Sequence, residues 1–381
     1  MGSDELNCIP QFVSNILKRF TDNAPYIDSD IDYNELEELV VKSNGNLTYD
    51  KIPINSGTIS IVFLGEYKKQ KIVIKLLRVG IKKKMEDAIV NIRYLCKFLS
   101  TIPLIGDLIF EKQFENIFSV LREQLSFDRE ILNIKTLKSI LSKYSLSVTF
   151  DVFEELCSDK CIVMEYVDGI SLYKLNENER EEACISYSKV SSFLNFKKGM
   201  YHLDPHPGNI LFCKRNDKIK ICFLDLGMML NLNNIERDFL YDFMICISSG
   251  KLKENFLEIL SKYSGSVFIC SEDEDRDEII KNLKLFVNSS YLFEKKDYKN
   301  ISYDILGLIK FCKKNGINIC ENFDKIFLGF VSFLGTFSML DRNGVFFEKF
   351  ALKISDKNAG VQIREEQSFP FITNNSSPEK N

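Results

Sequence analysis

Both histidines of this 381-residue chain stand in one short stretch, Tyr201-His202-Leu203-Asp204-Pro205-His206-Pro207-Gly208-Asn209-Ile210-Leu211. Two prolines fix φ along it, so Asp204 and Asn209, five residues apart, sit on a stiffened loop. A second stretch follows, Ile221-Cys222-Phe223-Leu224-Asp225-Leu226-Gly227, in which Asp225 ends an apolar strand just before a glycine. Two carboxylates and an amide oxygen brought to one point are hard ligands, suited to Mg²⁺ when phosphate oxygens complete its shell. Any fold for this chain has to hold these two loops side by side on a rigid frame.

The texture of the chain supplies such a frame. Short β-branched runs at Leu47 to Ile54, Thr58 to Glu66 and Lys71 to Leu77 are separated by Asn55-Ser56-Gly57 and Lys68-Lys69-Gln70, and they read as an antiparallel meander. Residues Lys84 to Ile140 have helical periodicity, broken near Pro103 and Gly106. Two more strands are expected at Ser147 to Glu154 and Cys161 to Val167. From Leu172 to about Ser355 the pattern is helical apart from residues 201 to 230. This order predicts an α+β, two-lobed fold with a small antiparallel-sheet lobe, a mainly helical lobe and a cleft between them. The divisions expected are a helical extension over 1–46, with amphipathic positions from Ile9 to Phe20 and an acidic helical run at Asp30 to Leu39. The sheet lobe with inserted helices spans 47–167, the helical lobe 168–352, and a disordered tail 353–381.

Spacing ties the two loops to the sheet. His-x-Asp, Asn five residues on, then Asp-x-Gly is the arrangement of a kinase-type catalytic loop and metal loop. That chemistry needs an upstream lysine for nucleotide phosphates, and Lys75 stands in Ile72-Val73-Ile74-Lys75-Leu76-Leu77, alternating with apolar residues on the third strand. A carboxylate must hold Lys75. Phe127-Asp128-Arg129-Glu130 offers Glu130 first, with Glu123 and Asp128 as alternatives. The turn Asn55-Ser56-Gly57-Thr58 is the candidate phosphate loop, where Gly57 permits φ > 0 and close backbone approach. Met164-Glu165-Tyr166-Val167-Asp168-Gly169 leaves a strand toward the helical half, and the backbone of Met164, Glu165 and Val167 is the candidate contact for a purine.

Other classes are disfavoured. Fifty basic against 54 acidic side chains, a net charge of −4, give no broad basic surface for nucleic acid. Eleven scattered cysteines without a C-x-x-C pair read as reduced, and the chain as cytoplasmic or intracellular. The N-terminus has no basic region leading into an apolar run, so no secretory signal is expected. Ile326 to Leu340 is apolar but shorter than the ~18 residues a membrane span needs, and it is expected to be a buried helix with Phe333 in the core. The acidic run Glu272 to Glu278 reads as a solvated loop.

His202 to Leu211 with Leu224-Asp225-Leu226-Gly227-Met228-Met229 resembles the signature of the ABC1/UbiB/ADCK family of atypical protein-kinase-like proteins. Pro53 to Val62, Ile72 to Lys75, Arg129-Glu130 with Asn133, and Met164 to Gly169 match in order, so the resemblance covers about residues 50 to 250. It implies a kinase or ATPase that binds ATP or ADP with Mg²⁺. Lys75 would contact the α and β phosphates, Glu130 would orient Lys75, Asp204 would be the catalytic aspartate, Asn209 and Asp225 would hold the metal, and His202 would brace the loop. It also implies a link to isoprenoid quinone or lipid metabolism, with peripheral association with membrane lipids or lipid-biosynthesis proteins. Two departures stand out. The family's alanine-rich loop is Asn55-Ser56-Gly57-Thr58 here. Its Lys-x-Gly-Gln motif is missing, and Gln124 and Ser126 occupy the positions of its Glu-x-Asp partner, which leaves the usual inhibitory cover without its charges. Two further readings compete with an ATP-using enzyme of this family. One is a small-molecule phosphotransferase of the aminoglycoside or choline kinase type, and the other is a nucleotide-binding regulator without turnover.

Overall fold

Asp32 starts the first described α-helix, α1 (Tyr33–Lys42): its carboxylate accepts the Glu35 amide at 3.3 Å, pairing one of the N–H groups a helix start leaves open. The computed structural model describes residues 24–101, 111–144, 147–248, 258–259, 261–269, 281, 285, 312, 317–320 and 322–342. The amphipathic run Ile9 to Phe20, the acidic run Glu272 to Glu278 and the tail from 353 lie outside the described residues.

After α1 the β-branched runs pair. Leu47–Tyr49 (β1), Asn55–Ser56 (β2), Ser60–Tyr67 (β3), Gln70–Leu77 (β4) and Cys161–Glu165 (β5) form one antiparallel sheet in the order β1-β3-β4-β5, with β2 also on β3. Lys68 and Lys69, at φ of 51° and 67°, close the β3–β4 hairpin, and two positive φ values in a row match the twist of the flanking strands. Alternation along β4 decides the faces. Ile72, Ile74 and Leu76 are buried in a core with Ile61, Phe63, Cys161, Val163 and, from α1, Leu36 and Leu39, while Val73 and Lys75 point the other way.

The strand expected over Ser147 to Glu154 does not form. Its pairing with β5 is reduced to one antiparallel bridge, Val152 to Met164, flanked by the bonds from Phe153 N–H to the Val163 carbonyl and from Glu165 N–H to the Asp151 carbonyl, both 2.8 Å, while the Val148 N–H is committed to the Ile221 carbonyl at 2.9 Å. Between β4 and β5 lie α2 (Ile81–Leu99), α3 (Glu111–Glu123) and α4 (Phe127–Leu141). The buried stripe of α4 is Phe127, Glu130, Ile134, Leu137 and Leu141, a helical repeat in which one acidic residue occupies an apolar position.

Beyond β5 come α5 (Glu177–Ser192), β6 (Met200–His202) and the hairpin of β7 (Ile210–Arg215) and β8 (Lys218–Phe223), closed by Asn216 and Asp217 at positive φ. The last described helices are α6 (Asn234–Ser248) and α7 (Phe323–Leu340). The chain divides into two compact units. One takes in residues up to Asn176, His202–Leu230 and Asp324–Thr336, and the other Glu177–Tyr201, Asn231–Phe323 and the residues from Phe337. In the second unit, Asn233 and Glu236 exchange side-chain and backbone bonds of 2.9 Å at the start of α6, a capping box, and Phe239 packs on Phe243, Tyr263, Phe268 and Phe323.

The apolar run Ile326 to Leu340 forms most of α7, and no described helix is long and apolar enough to cross a membrane. A buried apolar stripe runs along it through Phe323, Ile326, Phe330, Leu334, Phe337 and Leu340, spaced three or four apart. Phe333 falls outside that stripe and is half-buried, so the phase of the helix corrects the choice of Phe333 as the core side chain. Phe330, 2% exposed, takes that place. Phe330→Ala is expected to cost about 3–5 kcal/mol in urea unfolding, and Phe333→Ala clearly less; equal losses would contradict this phase.

Candidate active site

Register carries the candidate residues toward one place. Asn55 pairs with Val62, Val62 with Lys75, and Lys75 with Ile162, so the Asn55–Thr58 turn, the lysine and the strand leading to Met164 share one row across the sheet. From the face opposite the Ile72–Leu76 core, the Lys75 ammonium donates to both Glu130 oxygens, at 2.7 and 2.9 Å, and to Asp225 Oδ2 at 2.8 Å. The Phe127 ring lies 5.7 Å from it. Of the three carboxylates considered for Lys75, Glu130 makes the pair because it lies on the buried stripe of α4. Glu123 instead pairs with Arg129 at 3.0 Å, and Asp128 is exposed.

One ammonium shared by two carboxylates leaves the cluster with an unbalanced negative charge. Burial pushes Glu130 up to about 7, with the Asp225 charge adding to the rise and Lys75 opposing it. Burial also works against Asp225, but Lys75 and the Gly227 amide outweigh it and hold the carboxyl down to about 2. Lys75 is held above its ordinary value: burial opposes its charge, and the two carboxylates more than offset that.

The turn at Asp225 is held from several sides. Gly227 N–H donates to Asp225 Oδ1 at 2.9 Å, and a β-carbon at Gly227 would stand 3.2 Å from that oxygen. Asn133 of α4 donates to the Leu226 carbonyl at 2.8 Å, and the Gln124 amide reaches the Met228 sulfur. His202 joins this turn to the loop before β7. The Asp204 N–H donates to His202 Nδ1 at 3.1 Å, so Nε2 carries the ring proton and donates to the Asp225 carbonyl at 2.9 Å. Burial lowers the His202 pKa and keeps the ring neutral, as that pattern requires.

The base of the β7–β8 hairpin brings Asn209 beside Asp225. Ile210 pairs with Phe223, and the Leu224 N–H donates to the Asn209 carbonyl at 2.8 Å. Asn209 Nδ2 donates to the Asp204 carbonyl at 3.1 Å, which leaves its side-chain oxygen as the hard donor. A carboxylate, an amide oxygen and a surplus of negative charge fit Mg²⁺, which commonly takes one or two protein ligands plus phosphate oxygens. Among the described residues, no group of three or more His, Cys, Asp or Glu forms a separate metal cage.

Two contacts lay beyond the sequence reading. From α7, Ser332 Oγ lies 3.3 Å from Asp204 Oδ1, and the buried Thr336 hydroxyl donates to the Pro205 carbonyl at 2.7 Å. The available signal was two hydroxyls four residues apart in an apolar helix, which place both on one face.

The outer candidates are arranged differently from one another. Asn55 and Thr58 are exposed, whereas the Ser56 side chain turns inward. Gly57 does not use positive φ, and an added β-carbon would meet only the Ser60 carbonyl oxygen, at 3.6 Å. The expectation of a left-handed glycine there is therefore corrected: the Gly57 N–H bonds the Ser60 carbonyl at 2.9 Å in an ordinary tight turn, and the glycine provides bare backbone. Met164 is buried, Glu165 is half-buried, and the Tyr166 N–H is committed to the Lys71 carbonyl at 3.1 Å, while the Val167 N–H takes no backbone partner among the described residues.

Glu130 binds a proton in the folded protein between its ordinary value of 4.5 and about 7, where the unfolded chain has released it. Its contribution is therefore fully present below 4.5 and is lost as pH rises through 7. In urea unfolding from pH 8 to pH 5, wild type should gain stability relative to Glu130→Gln; parallel curves would count against the raised carboxyl.

Comparison with known proteins follows the same residues. The family model described as the ABC1 atypical kinase-like domain matches residues 32–255. A Clostridium pasteurianum protein named for the 5′ region of hydrogenase 1 is 27% identical over 308 residues, covering 75% of this chain and 56% of its own. A probable serine/threonine-protein kinase abkB of Dictyostelium discoideum is 22% identical over 79% of this chain and 48% of its own, and a probable protein kinase UbiB of Shewanella halifaxensis 27% over 50% and 37%. The chain thus spans about half the length, or less, of these curated relatives. The solved Rio2 kinase-ADP/Mg²⁺-phosphoaspartate complex from Chaetomium thermophilum aligns over 80% of this chain and 84% of its own at 12% identity and a TM-score of 0.34, too loose a likeness to carry geometry across. With the family model covering more than half of its residues, including every element that meets at Lys75, the chain belongs to the ABC1 family of atypical kinase-like proteins.

Proposed function

We propose that this chain is a Mg²⁺-dependent, ATP-using enzyme, an atypical kinase or ATPase. The observation that carries the reading is the Lys75 ammonium bound to both Glu130 and Asp225, with Asp225 joined through one hairpin to Asn209 and Asp204. In this reading Lys75 receives the α and β phosphates, and Glu130 is its positioning residue. The Asn55–Thr58 turn lies against the phosphates, and the backbone of Met164, Glu165 and Val167 meets the purine. Asp204 accepts the proton of the attacking hydroxyl or water, and His202 keeps the Asp204 and Asp225 segments in register. Mg²⁺, held by Asn209 and Asp225, would neutralise charge on the phosphate oxygens. The protein's share is placement of reactants and of fixed charge, which is most of what phosphoryl transfer asks of an enzyme. Family membership supports a phosphotransferase, and the resemblance supports a link to lipid or isoprenoid quinone metabolism, with peripheral association with membrane lipids or lipid-biosynthesis proteins; it assigns no acceptor.

Two measurements test this. Asp225→Asn removes a charged metal ligand, so the Mg²⁺-dependent part of ADP affinity should fall at least tenfold, about 1.4 kcal/mol, in calorimetry. Unchanged metal dependence would reject the assignment. Turnover of γ-labelled ATP should fall sharply in Lys75→Met and in Glu130→Gln, with the double variant little worse than the worse single one, because the two side chains act as one unit. Additive losses would separate their roles. Nucleotide binding without any turnover would favour a regulator, and labelling of a small cationic alcohol in preference to water or protein would favour the small-molecule phosphotransferase reading.

A further inference from the structure

Arg78 lies just past the end of β4, three residues beyond Lys75, and is 9% exposed. All five of its guanidinium donors are taken. Nε donates to the Gly57 carbonyl at 3.0 Å, Nη1 to the Pro25 carbonyl at 3.0 Å and Asp30 Oδ2 at 2.9 Å, and Nη2 to the Ala24 carbonyl at 3.3 Å and Ser56 Oγ at 2.8 Å. Backbone bonds run parallel to these: Arg78 N–H to the Ile59 carbonyl at 3.0 Å, Val79 N–H to Asp30 O at 2.9 Å, and Ala24 N–H to Ser56 O at 2.6 Å. One side chain therefore joins three things: the strand that bears Lys75, the Asn55–Thr58 turn, and the segment from Ala24 to Asp30.

The fork geometry is what makes the junction. A guanidinium presents five donors in a plane and stays charged, whereas an ammonium offers three on a flexible stem and could not reach both the Gly57 carbonyl and Asp30. With Asp30 as its counter-ion the buried charge is paired, and Lys84 adds a second cation to Asp30 at 3.3 Å. The contacts to the turn are to a carbonyl and to a buried hydroxyl, so they fix its backbone and leave Asn55 and Thr58 outward.

We propose that Arg78 is a positioning residue for the Asn55–Thr58 turn: it sets the backbone that meets the nucleotide phosphates and makes that setting depend on the Ala24–Asp30 segment. The second half rests on the nucleotide reading above, and the first half does not. The Asp30 carboxylate does not bond the turn itself; it acts on the turn through Arg78 at 2.9 Å, while the bond from Ala24 N–H to the Ser56 carbonyl is a second tie between segment and turn.

The test is hydrogen exchange at the Gly57 amide, which is protected by its bond to Ser60, alongside MgADP titration of the full chain. In Arg78→Lys, Gly57 should exchange at least tenfold faster while the central amides of the β3–β4 hairpin keep their rates, and MgADP affinity should fall at least tenfold. Asp30→Asn should move both readouts in the same direction. Ser56→Ala removes one of the five bonds and nothing from the core, so it carries the test if Arg78→Lys does not fold. Unchanged Gly57 exchange in these variants, or acceleration spread evenly over the sheet, would overturn the proposal and reduce Arg78 to a brace of the fold. Gly57 exchange that responds in a protein that binds no ADP would instead reject the nucleotide reading and leave the hold of Arg78 on the turn intact.

Discussion

Two carboxylates share one largely buried ammonium where β4, α4 and the turn after β8 meet. Lys75 cannot neutralise both Glu130 and Asp225, and breaking its contact with Glu130, which is 1% exposed, would leave a desolvated charge. That constraint joins elements far apart in sequence: β4 for the lysine, α4 for the glutamate, the turn after β8 for the aspartate. The strain shows in the opposite movement of the two acids, Asp225 down to about 2 and Glu130 up to about 7, as expected for groups that titrate together. A cation bound at Asp225, as proposed above, would relieve the surplus charge and so favour the ionised form of Glu130.

The surroundings of this cluster are neutral struts. A single-tautomer His202 spans two loops, Asn133 and Asn209 tie down backbone carbonyls, and Thr336 holds Pro205 from α7. None adds a net charge to a site already out of balance. Arg78, a second buried cation on this sheet, comes with its own carboxylate, Asp30, and acts on a turn at one remove from Lys75. The Lys75 cluster and the Arg78–Asp30 pair thus keep their charges separate.

Much of this was legible beforehand for local reasons. Alternation in Ile72 to Leu77 put Lys75 on the face away from the core, and the spacing from His202 to Gly227 predicted two loops meeting at one point, which the structure joins through the β7–β8 hairpin. The helical period of α4 held the answer to which acid meets the lysine, since Glu130 shares a stripe with Phe127 and Ile134. Where the reading missed, the competing partner lay far away in sequence. The run from Ser147 gave its Val148 amide to Ile221, and α7 took a phase that buries Phe330 in place of Phe333.

Residue types, their order and their short-range spacing were determined by the sequence alone: the meander, the stiff His202–Asn209 loop, the Asp-x-Gly turn, and with them the family. Only the tertiary structure decided which atoms share a proton or a charge. Gly57 could have taken a left-handed turn and does not, because its amide found Ser60; Ser56 could have faced outward and instead turned to Arg78. Ser332 and Thr336, in an apolar helix, donate hydrogen bonds to Asp204 and to the Pro205 carbonyl. The reason is one of range. Periodicity and turn chemistry act over a few residues, whereas a buried polar atom must find its partner wherever the folded chain brings one within about 3 Å.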